Sequence, residues 1–470
     1  MLPTPQTFSI YPSVIPADKT TLMTIVPNEK AFIIQDGKEY QIKVIAVNSD
    51  ENYYAPETHK IYDVTAHDGI LTFEHHFEGE QEHTVLLIRE EKVRQTFTVY
   101  SLYEDLYSLK PLKGDLHSHS CRSDATRDAA AQFGHYREHG FDFAALTDHN
   151  RYYPGQEYDE AFEGINTGIT RVMGEEVHCP GSVLHTVHVG GKESIANRYI
   201  HNREQYEADV AEYMKKVPEN IPEKYKSRYA KAMWLTDAIH EVGGLAIFAH
   251  PYWKPGSSKM YNVCDEFAKI LLMSGMFDAY ELVGGMGQIG ISRSIALWSE
   301  LRAEGLKISV VGSSDQHTLE NSTFNHYFTV CFATENTNDA IISAVKNGLS
   351  VAVEATGDGY ARQNRCYGSL RLVSYAHFLL NNYFPKLQRL GEGVGVAMRA
   401  YYMEDADASL IESQAALLEK FSARFFGKMP PVLPTESMMT FENKWREVQL
   451  TQGPLTRGSS VDATPAKSLV

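Results

Sequence analysis

Short runs in which apolar and polar residues alternate occupy the chain from about residue 20 to residue 100. Examples are residues 40–47 and 95–100, and the pairs Asp36-Gly37 and Asp68-Gly69 are turn signals between such runs. A period of two is typical of strands with one buried face, and short strands separated by turns favour an antiparallel sandwich. We therefore predict a small all-β sandwich over residues 1–109.

The pattern changes after residues 110–113, where apolar strand-like runs begin to alternate with longer helical segments. This alternation predicts a mainly parallel, barrel-like sheet with crossover helices over residues 110–356. The step from Met173 to Val189 is too short for a crossover helix, so the barrel should be irregular there. Seven barrel strands are expected to end near Leu116, Leu146, Met173, Val189, Ala249, Val283 and Gly312.

Two further regions depart from this rhythm. Residues 192–231 are highly charged and form either a solvated insertion or a lid beside a functional site. Residues 357–450 carry apolar residues at helical spacing, interrupted near Pro430-Pro431, and residues 451–470 resemble a loose tail. We expect the C-terminal helices to pack on the barrel or on a second subunit, which would make a homo-oligomer.

Composition and charge narrow the function classes. The 470 residues are 43% hydrophobic and 22% charged, as in ordinary soluble proteins, and the net charge of -16 disfavours duplex nucleic acid as a partner. No apolar run approaches the ~18–20 residues of a membrane span. The five cysteines are scattered, with no Cys-x-x-Cys, which is typical of reduced thiols. We predict a cytoplasmic protein that does not bind a membrane.

Residues of metal-ligand type follow or occupy six of the predicted strands. His117 and His119, two residues apart, would point to one face of a strand. Catalytic groups of a β/α barrel converge at the carboxyl ends of its strands, so these residues should meet there. Imidazoles together with carboxylates suit zinc, manganese or iron. The favoured set is His117, His119, Asp124, His149, Glu175, His188, His250, Asp315 and His317.

Two positions in this set leave alternatives open. His185 could replace His188, because their i, i+3 spacing places the two side chains on opposite faces of one strand. We favour His188 because it lies nearer the strand end. Glu176 could likewise compete with Glu175. Asp148 is expected to orient an imidazole or to cap its loop. His67, His75 and His76 are expected to be surface histidines, and His178, His240 and His326 are expected to have structural or surface roles.

These motifs resemble those of the PHP family, named for polymerase and histidinol phosphatase, over residues 113–354. The resemblance implies a distorted (β/α)7 barrel with two or three divalent metal ions. It also implies that Glu175, Asp315 and His250 serve catalysis through a metal-bridging hydroxide. The implied ligand sets are His117, His119, Glu175 and Asp315 for one ion, Glu175, His188 and His250 for a second, and Asp124, His149 and His317 for a third. A sandwich before the barrel is similar to the carbamate-hydrolysing branch.

The resemblance and the basic loop residues together predict a phosphoesterase that acts on a small phosphorylated molecule. Arg122, Arg151 and Lys254 lie in loops beside the ligands and are candidate phosphate contacts. The alternatives are an ester, amide or carbamate hydrolase with the same metals, or a non-catalytic domain that metals brace.

Overall fold

The structure of the chain is a computed structural model that describes residues 6–49, 59–256, 259–318, 324–357 and 362–452. The chain forms two compact units. The larger is Ser108–Glu419, and the smaller combines the chain up to Tyr107 with the chain from Lys420 onward. None of the helices in the described ranges has both the length and the apolar character that crossing a membrane requires.

The smaller unit contains two sheets around a shared apolar core. One sheet has the order β1-β3-β6 and the other β2-β8-β7-β4-β5, and inward residues such as Ile25 and Ile42 meet between them. The Asp68-Gly69 turn has positive φ at both residues, 52° and 79°, as a tight hairpin turn requires. The strands are β1 Phe8–Tyr11, β2 Val14–Pro16, β3 Lys19–Pro27, β4 Glu39–Ala46, β5 Lys60–Thr65, β6 Leu71–Phe77, β7 Gln81–Arg89 and β8 Lys92–Leu102, followed by helix α1 Glu104–Tyr107.

His75 is buried in this sandwich, so the expectation of a surface histidine is wrong for it. Residues of β6 alternate between buried and exposed, which places His75 inside with Phe77 and leaves His76 exposed. Tyr62 Oη lies 2.8 Å from His75 Nδ1, so the buried ring keeps a polar partner.

The larger unit is built on a sheet that curls until it nearly closes. Its strands lie in the order β15-β14-β13-β12-β11-β10-β9-β16-β17-β18. Just beyond β9 and β15, Ser118 and Gln316 form a parallel bridge, so the two strands meet at one end. The strands are β9 Lys110–Asp115, β10 Phe143–Leu146, β11 Thr170–Val177, β12 Thr186–Val189, β13 Leu245–Phe248, β14 Ala279–Val283, β15 Ser309–Gly312, β16 Tyr327–Ala333, β17 Ser350–Thr356 and β18 Gln363–Tyr367.

The alternation of strands and helices is not strict. β12 runs antiparallel to both β11 and β13, because the short link of residues 178–185 can form only a hairpin. β16 also pairs antiparallel with β9, so three further strands extend the sheet beyond the seven expected ones. The helices around this sheet are α2 Ala129–Glu138, α3 Pro154–Ala161, α4 Ala196–His201, α5 Arg203–Met214, α6 Glu223–Glu241, α7 Asp265–Met273, α8 Gln288–Ala303 and α9 Asn338–Lys346.

The charged region 192–231 packs one face against the protein, while most of its charged residues remain exposed to solvent. Tyr199 and Tyr206, from α4 and α5, are buried with Trp234 of α6 in a large apolar cluster. Tyr199 Oη donates a hydrogen bond of 2.6 Å to Asn150 Oδ1, so this segment also supports the loop after β10. Its role as a lid stays a prediction.

The helical region expected over residues 357–450 is divided between the two units. Helix α11 lies close to α2, where Gly134 and Gly395 leave room for backbone-to-backbone approach. The last helix begins after the prolines, and its N-cap residue Thr435 accepts a hydrogen bond from the amide of Met438. The helices are α10 Leu370–Asn382, α11 Phe384–Tyr402, α12 Ala408–Phe425 and α13 Glu436–Thr451. Most of the predicted tail, from residue 453, lies outside the described residues.

Candidate metal centre

Ligand-type side chains from the ends of four barrel strands and from the β11–β12 hairpin converge at one end of the curled sheet. The loops after β9, β10, β13 and β15 deliver most of them, and the hairpin between β11 and β12 delivers the rest. Within the described residues they form four overlapping groups, each with ligand atoms within 4.8 Å of one another. The members are His117, His119, Asp124, His149, Glu176, His178, His185, His250, Asp315 and His317.

Glu176 lies at the centre of this cluster. It is 1% exposed, and imidazole nitrogens approach both oxygens of its carboxylate. Three of the four overlapping groups share it. Glu176 Oε2 lies 2.8 Å from His149 Nδ1 and 3.5 Å from the Nε2 atoms of His117 and His119. Glu176 Oε1 lies 2.8 Å from His185 Nδ1, 3.2 Å from His250 Nε2 and 3.3 Å from His178 Nε2.

Glu175, the residue favoured from the sequence, lies on the opposite face of β11. Its carboxylate accepts hydrogen bonds from Ser194 Oγ at 2.7 Å and from the amide of Ile195 at 2.5 Å. These partners precede α4, on the outside of the sheet. Because consecutive strand residues point to opposite faces, only one of the two glutamates can enter the cluster, and it is Glu176. The placement of Glu175 in the metal centre is therefore corrected.

The same correction applies to His188. In the β11–β12 register it lies opposite Glu175, and its Nδ1 is 3.3 Å from Glu175 Oε1. His185 enters the cluster instead. The sequence argument favoured the histidine nearer the carboxyl end of the strand, but β12 runs antiparallel, so its first residues lie at the mouth.

Asp315 supplies a second carboxylate to the centre. Its Oδ1 lies 3.0 Å from His119 Nε2 and 3.4 Å from His117 Nε2. The residue has a φ of 51°, in the left-handed region that costs energy for residues other than glycine. The amide of Asp315 donates to the carbonyl of His117, which fixes this turn against the end of β9.

Asp124 and its neighbours form the outer part of the cluster. Asp124 Oδ2 lies 3.4 Å from the Nε2 atoms of both His149 and His317. Asp148 accepts hydrogen bonds from the hydroxyls of Ser120 and Ser123, so it shapes the loop that carries Asp124. Of its two expected roles, these contacts match the capping of the loop, and within the described residues no hydrogen bond joins Asp148 to an imidazole.

Two residues in or beside the cluster were missed by the sequence reasoning. His178 was assigned a structural or surface role, although its position two residues after Glu176 gives it the same face of the strand. Glu281 was not considered, and its Oε2 lies 2.8 Å from His117 Nδ1 in the fully buried interior. The signal for Glu281 was an acidic residue inside the otherwise apolar run 279–283.

Burial and opposite charges compete in setting the pKa values of the cluster. Burial alone would lower the pKa of His250, but the hydrogen bond to Glu176 and the charge of Asp315 raise it to about 9. Burial would raise the pKa of Asp315, yet His117 and His119 hold it well below its usual range. The pKa of His117 is raised as well, so protons on His117 and His250 offset part of the carboxylate charge, and a divalent cation can take their place. Burial instead lowers the pKa of His119, and it lowers that of His185 to about 4.

The donor set fits divalent metal ions. Glu176 Oε2 is buried and makes no hydrogen bond of good geometry, which is uncommon for a buried carboxylate oxygen. The Nε2 atoms of His117 and His119 lie 3.3 Å apart and face the same space. Imidazoles and carboxylates whose lone pairs converge in this way are the ligands of zinc, manganese and iron sites.

The three cations that were predicted to contact phosphate differ in exposure and in whether a carboxylate already pairs with them. Arg122 Nε donates to Glu157 Oε2 at 2.7 Å, so its charge is already paired. Arg151 is exposed on the loop after β10. Lys254 is exposed too, with Nζ 4.7 Å from the ring centre of Tyr261.

Trp253 forms part of the wall beside the cluster. Its ring centroid lies 5.4 Å from that of His185 and 6.1 Å from that of His250, and the side chain is partly exposed. Position 285, beside His250, has room only for glycine, since a Cβ there would lie 2.7 Å from Glu281 Oε1 and 2.8 Å from His250 Cδ2.

Comparison with known proteins gives weak likenesses. No family model matches the sequence, and no curated protein matches it either. Among solved structures, the chain is similar to a two-domain protein from Bacteroides vulgatus that contains a predicted PHP-like metal-dependent phosphoesterase. That match has 17% identity and a TM-score of 0.36, and it covers 56% of this chain and 77% of the other.

Two further solved structures are similar to parts of the chain. One is a proposed metal-dependent phosphoesterase from Bifidobacterium adolescentis, at 17% identity and a TM-score of 0.32, covering 43% of this chain and 87% of the other. The second is an amidohydrolase from Chromobacterium violaceum with bound sulfate and no metal, at 16% identity and a TM-score of 0.30, covering 44% and 88%.

Proposed function

We propose that this chain is a metal-dependent hydrolase of the PHP type, and specifically a phosphoesterase that acts on a small phosphorylated molecule. The observation that carries the proposal is the buried carboxylate of Glu176, both of whose oxygens face imidazoles from several barrel loops. A carboxylate with two oxygens can serve two ions at once, which single-ion structural sites do not need.

Three ligand groups would hold divalent ions, and zinc, manganese and iron fit their donors. When bound, such ions neutralise phosphoryl oxygens and lower the pKa of a water molecule towards about 7. Glu176 belongs to the first two groups, and His119 to the first and third. The groups are His117, His119, Glu176 and Asp315; Glu176, His185 and His250; and His119, Asp124, His149 and His317.

The chain's own residues would hold the ligands in place and bind the substrate. Glu281 orients His117 so that Nε2 faces the cluster. Arg151 and Lys254 are exposed cations on the loops beside the mouth and would attract a phosphate group. Trp253 offers an apolar surface for the organic part of the substrate. The net charge of -16 disfavours long polyanions, so a small substrate is the expectation.

Hydrolysis assays on metal-loaded protein test this proposal. Protein reconstituted separately with zinc, manganese and iron is offered an aryl phosphate, a phosphodiester, an aryl ester, an aryl carbamate and double-stranded DNA. We expect turnover of at least one small phosphate ester, competitive inhibition by inorganic phosphate, and no cleavage of the duplex. Glu176→Gln should abolish the turnover and serves as the background control.

Other outcomes would overturn parts of the proposal. Rapid hydrolysis of the ester or carbamate, with both phosphate esters untouched, would assign carbonyl-directed chemistry to the same centre. Full metal loading with no hydrolysis of any substrate would favour a domain in which metals only brace the fold.

A further inference from the structure

His178 adds a ligand to the centre that neither the motif analysis nor the three groups above include. It directly follows β11, and Glu176 lies two residues before it, so both side chains point to the same face. The amide of His178 donates to Asn150 Oδ1 at 2.8 Å, which anchors its backbone to the loop that carries His149.

The imidazole of His178 is held in a defined position. Its ring stacks on that of His185, with centroids 3.9 Å apart and planes 29° apart, and its centroid lies 4.6 Å from that of His149. Its Nε2 atom is buried and makes no hydrogen bond of good geometry, although it lies 3.3 Å from Glu176 Oε1. A buried nitrogen aimed at a carboxylate without a hydrogen bond is available to a cation.

His149 connects this position to the outer group. Its Nδ1 lies 2.8 Å from Glu176 Oε2, whereas its Nε2 lies 3.4 Å from Asp124 Oδ2. The two nitrogens of one ring therefore face two different carboxylates. His149, Glu176 and His178 together form a group whose ligand atoms lie within 4.8 Å of one another.

We propose that His178, Glu176 and His149 form an accessory divalent-metal position at the rim of the centre, which adds His178 and shares Glu176 and His149 with the groups of the proposed function. When the outer group also holds an ion through Nε2 of His149, the ring would bind both ions as an imidazolate, with its proton released to solvent. Three protein ligands with one side open to solvent resemble a catalytic or exchangeable zinc site more than a closed structural one. The side chains of His149 and His178 are about one-third exposed, at 27% and 30%, so an ion here exchanges more readily than an ion held by the buried ligands His117 and His119. This inference rests on the proposed metal centre.

Metal titration of full-length variants tests the accessory position. Metal-free wild type, His178→Ala, His178→Cys and Glu176→Gln are titrated with Co²⁺ while visible and near-ultraviolet absorption is recorded, and bound metal is counted after dialysis. His201→Ala is the matched control, because His201 is an exposed histidine of the same unit on α4. We expect His178→Ala to lose the weakest binding step, about one ion per chain, while the tighter steps and the far-UV spectrum stay unchanged.

His178→Cys distinguishes a ligand from a residue that only packs. A thiolate at this position should restore the weak step and add a sulfur-to-cobalt charge-transfer band that the wild type lacks. Unchanged stoichiometry in His178→Ala, together with no new band in His178→Cys, would overturn the accessory position. If Glu176→Gln also kept every ion, the proposed function itself would fail, so the two failures are distinguishable.

Discussion

His117 and Glu281 form a buried pair, in which Nδ1 of the imidazole lies 2.8 Å from Oε2 of the carboxylate. Both side chains are completely buried. A carboxylate at this distance accepts the Nδ1–H and turns Nε2 towards Asp315 and Glu176, so that Nε2 offers its lone pair once a metal ion replaces its proton. The pair therefore sets the tautomer and the orientation of one ligand of the centre.

Glu281→Gln tests the orientation of His117. The amide keeps the volume and one acceptor oxygen but loses the charge that makes the imidazole a stronger ligand. We expect the affinity for the tightest ion to fall by about 10–100-fold, measured by chelator competition. Glu354, a buried glutamate on β17 of the same sheet, is the matched control, and Glu354→Gln should leave metal affinity unchanged. Equal affinities in all three proteins would contradict the role of Glu281.

The Arg122–Glu157 ion pair predicts an asymmetry among the basic residues. Arg151→Gln and Lys254→Gln should each raise KM for an aryl phosphate with metal content unchanged, because both cations are exposed and no carboxylate among the described residues pairs with them. Arg122→Gln should have a smaller effect, since Glu157 already pairs with its guanidinium.

Glu157→Gln supplies the complementary test. Releasing Arg122 should lower KM, and this gain should vanish in the Arg122→Gln/Glu157→Gln double variant. Steady-state kinetics of the four proteins measure the coupling. An equal change in KM from Glu157→Gln with and without Arg122 would show that the ion pair does not influence substrate binding.

Much of the centre could be predicted because six of the seven expected strands end within one residue of where their apolar runs end, whereas β11 was expected to end near Met173 and continues to Val177. Residues such as His117, His250 and Asp315 follow strands that run towards the mouth, so their position in the sequence places them correctly. The hairpin β11–β12 is the exception. There, β12 runs antiparallel, and the candidate ligand His185 lies next to its start. The sequence interpretation rejected His185 in favour of His188, which lies nearer the carboxyl end of β12.

Side chains alternate between the two faces of a strand, so the other wrong choice of ligand exchanged two adjacent residues of β11. Glu175 and Glu176 are equally acidic and adjacent, and the sequence contains no signal for which face of β11 turns inward. The decision comes from long-range contacts, since the amide of Ile195 binds Glu175 and thereby assigns it to the outer face. His75 in the sandwich shows the same limit, because burial of one strand face depends on the opposing sheet.

The buried histidines of the sandwich predict acid sensitivity of the smaller unit. Burial lowers the pKa of His75 and of His83 to about 4, against about 6.5 in the unfolded chain. Between these values the unfolded state binds more protons, so stability is complete above about pH 6.5 and falls as the pH drops towards about 4. Each unit of pKa separation corresponds to at most about 1.4 kcal/mol.

Denaturant unfolding of the full chain, followed by circular dichroism between pH 7.5 and 4.5, measures this dependence. His83→Gln should flatten the decline in the transition of the smaller unit. His76→Gln, on the exposed face of β6, should leave it unchanged. A decline that is equally steep in all three proteins would assign the acid sensitivity to other groups.

The most direct test of the central claim, that Glu176 joins the metal groups, is the metal content of two neighbouring variants. Glu176→Gln and Glu175→Gln are purified under identical conditions, and zinc, manganese and iron per chain are measured by elemental analysis beside the wild type. We predict that Glu176→Gln loses at least one ion, whereas Glu175→Gln keeps the wild-type content and is destabilised by about 1–3 kcal/mol through its weakened bonds to Ser194 and Ile195. Full metal content in Glu176→Gln, with loss in Glu175→Gln, would contradict the account.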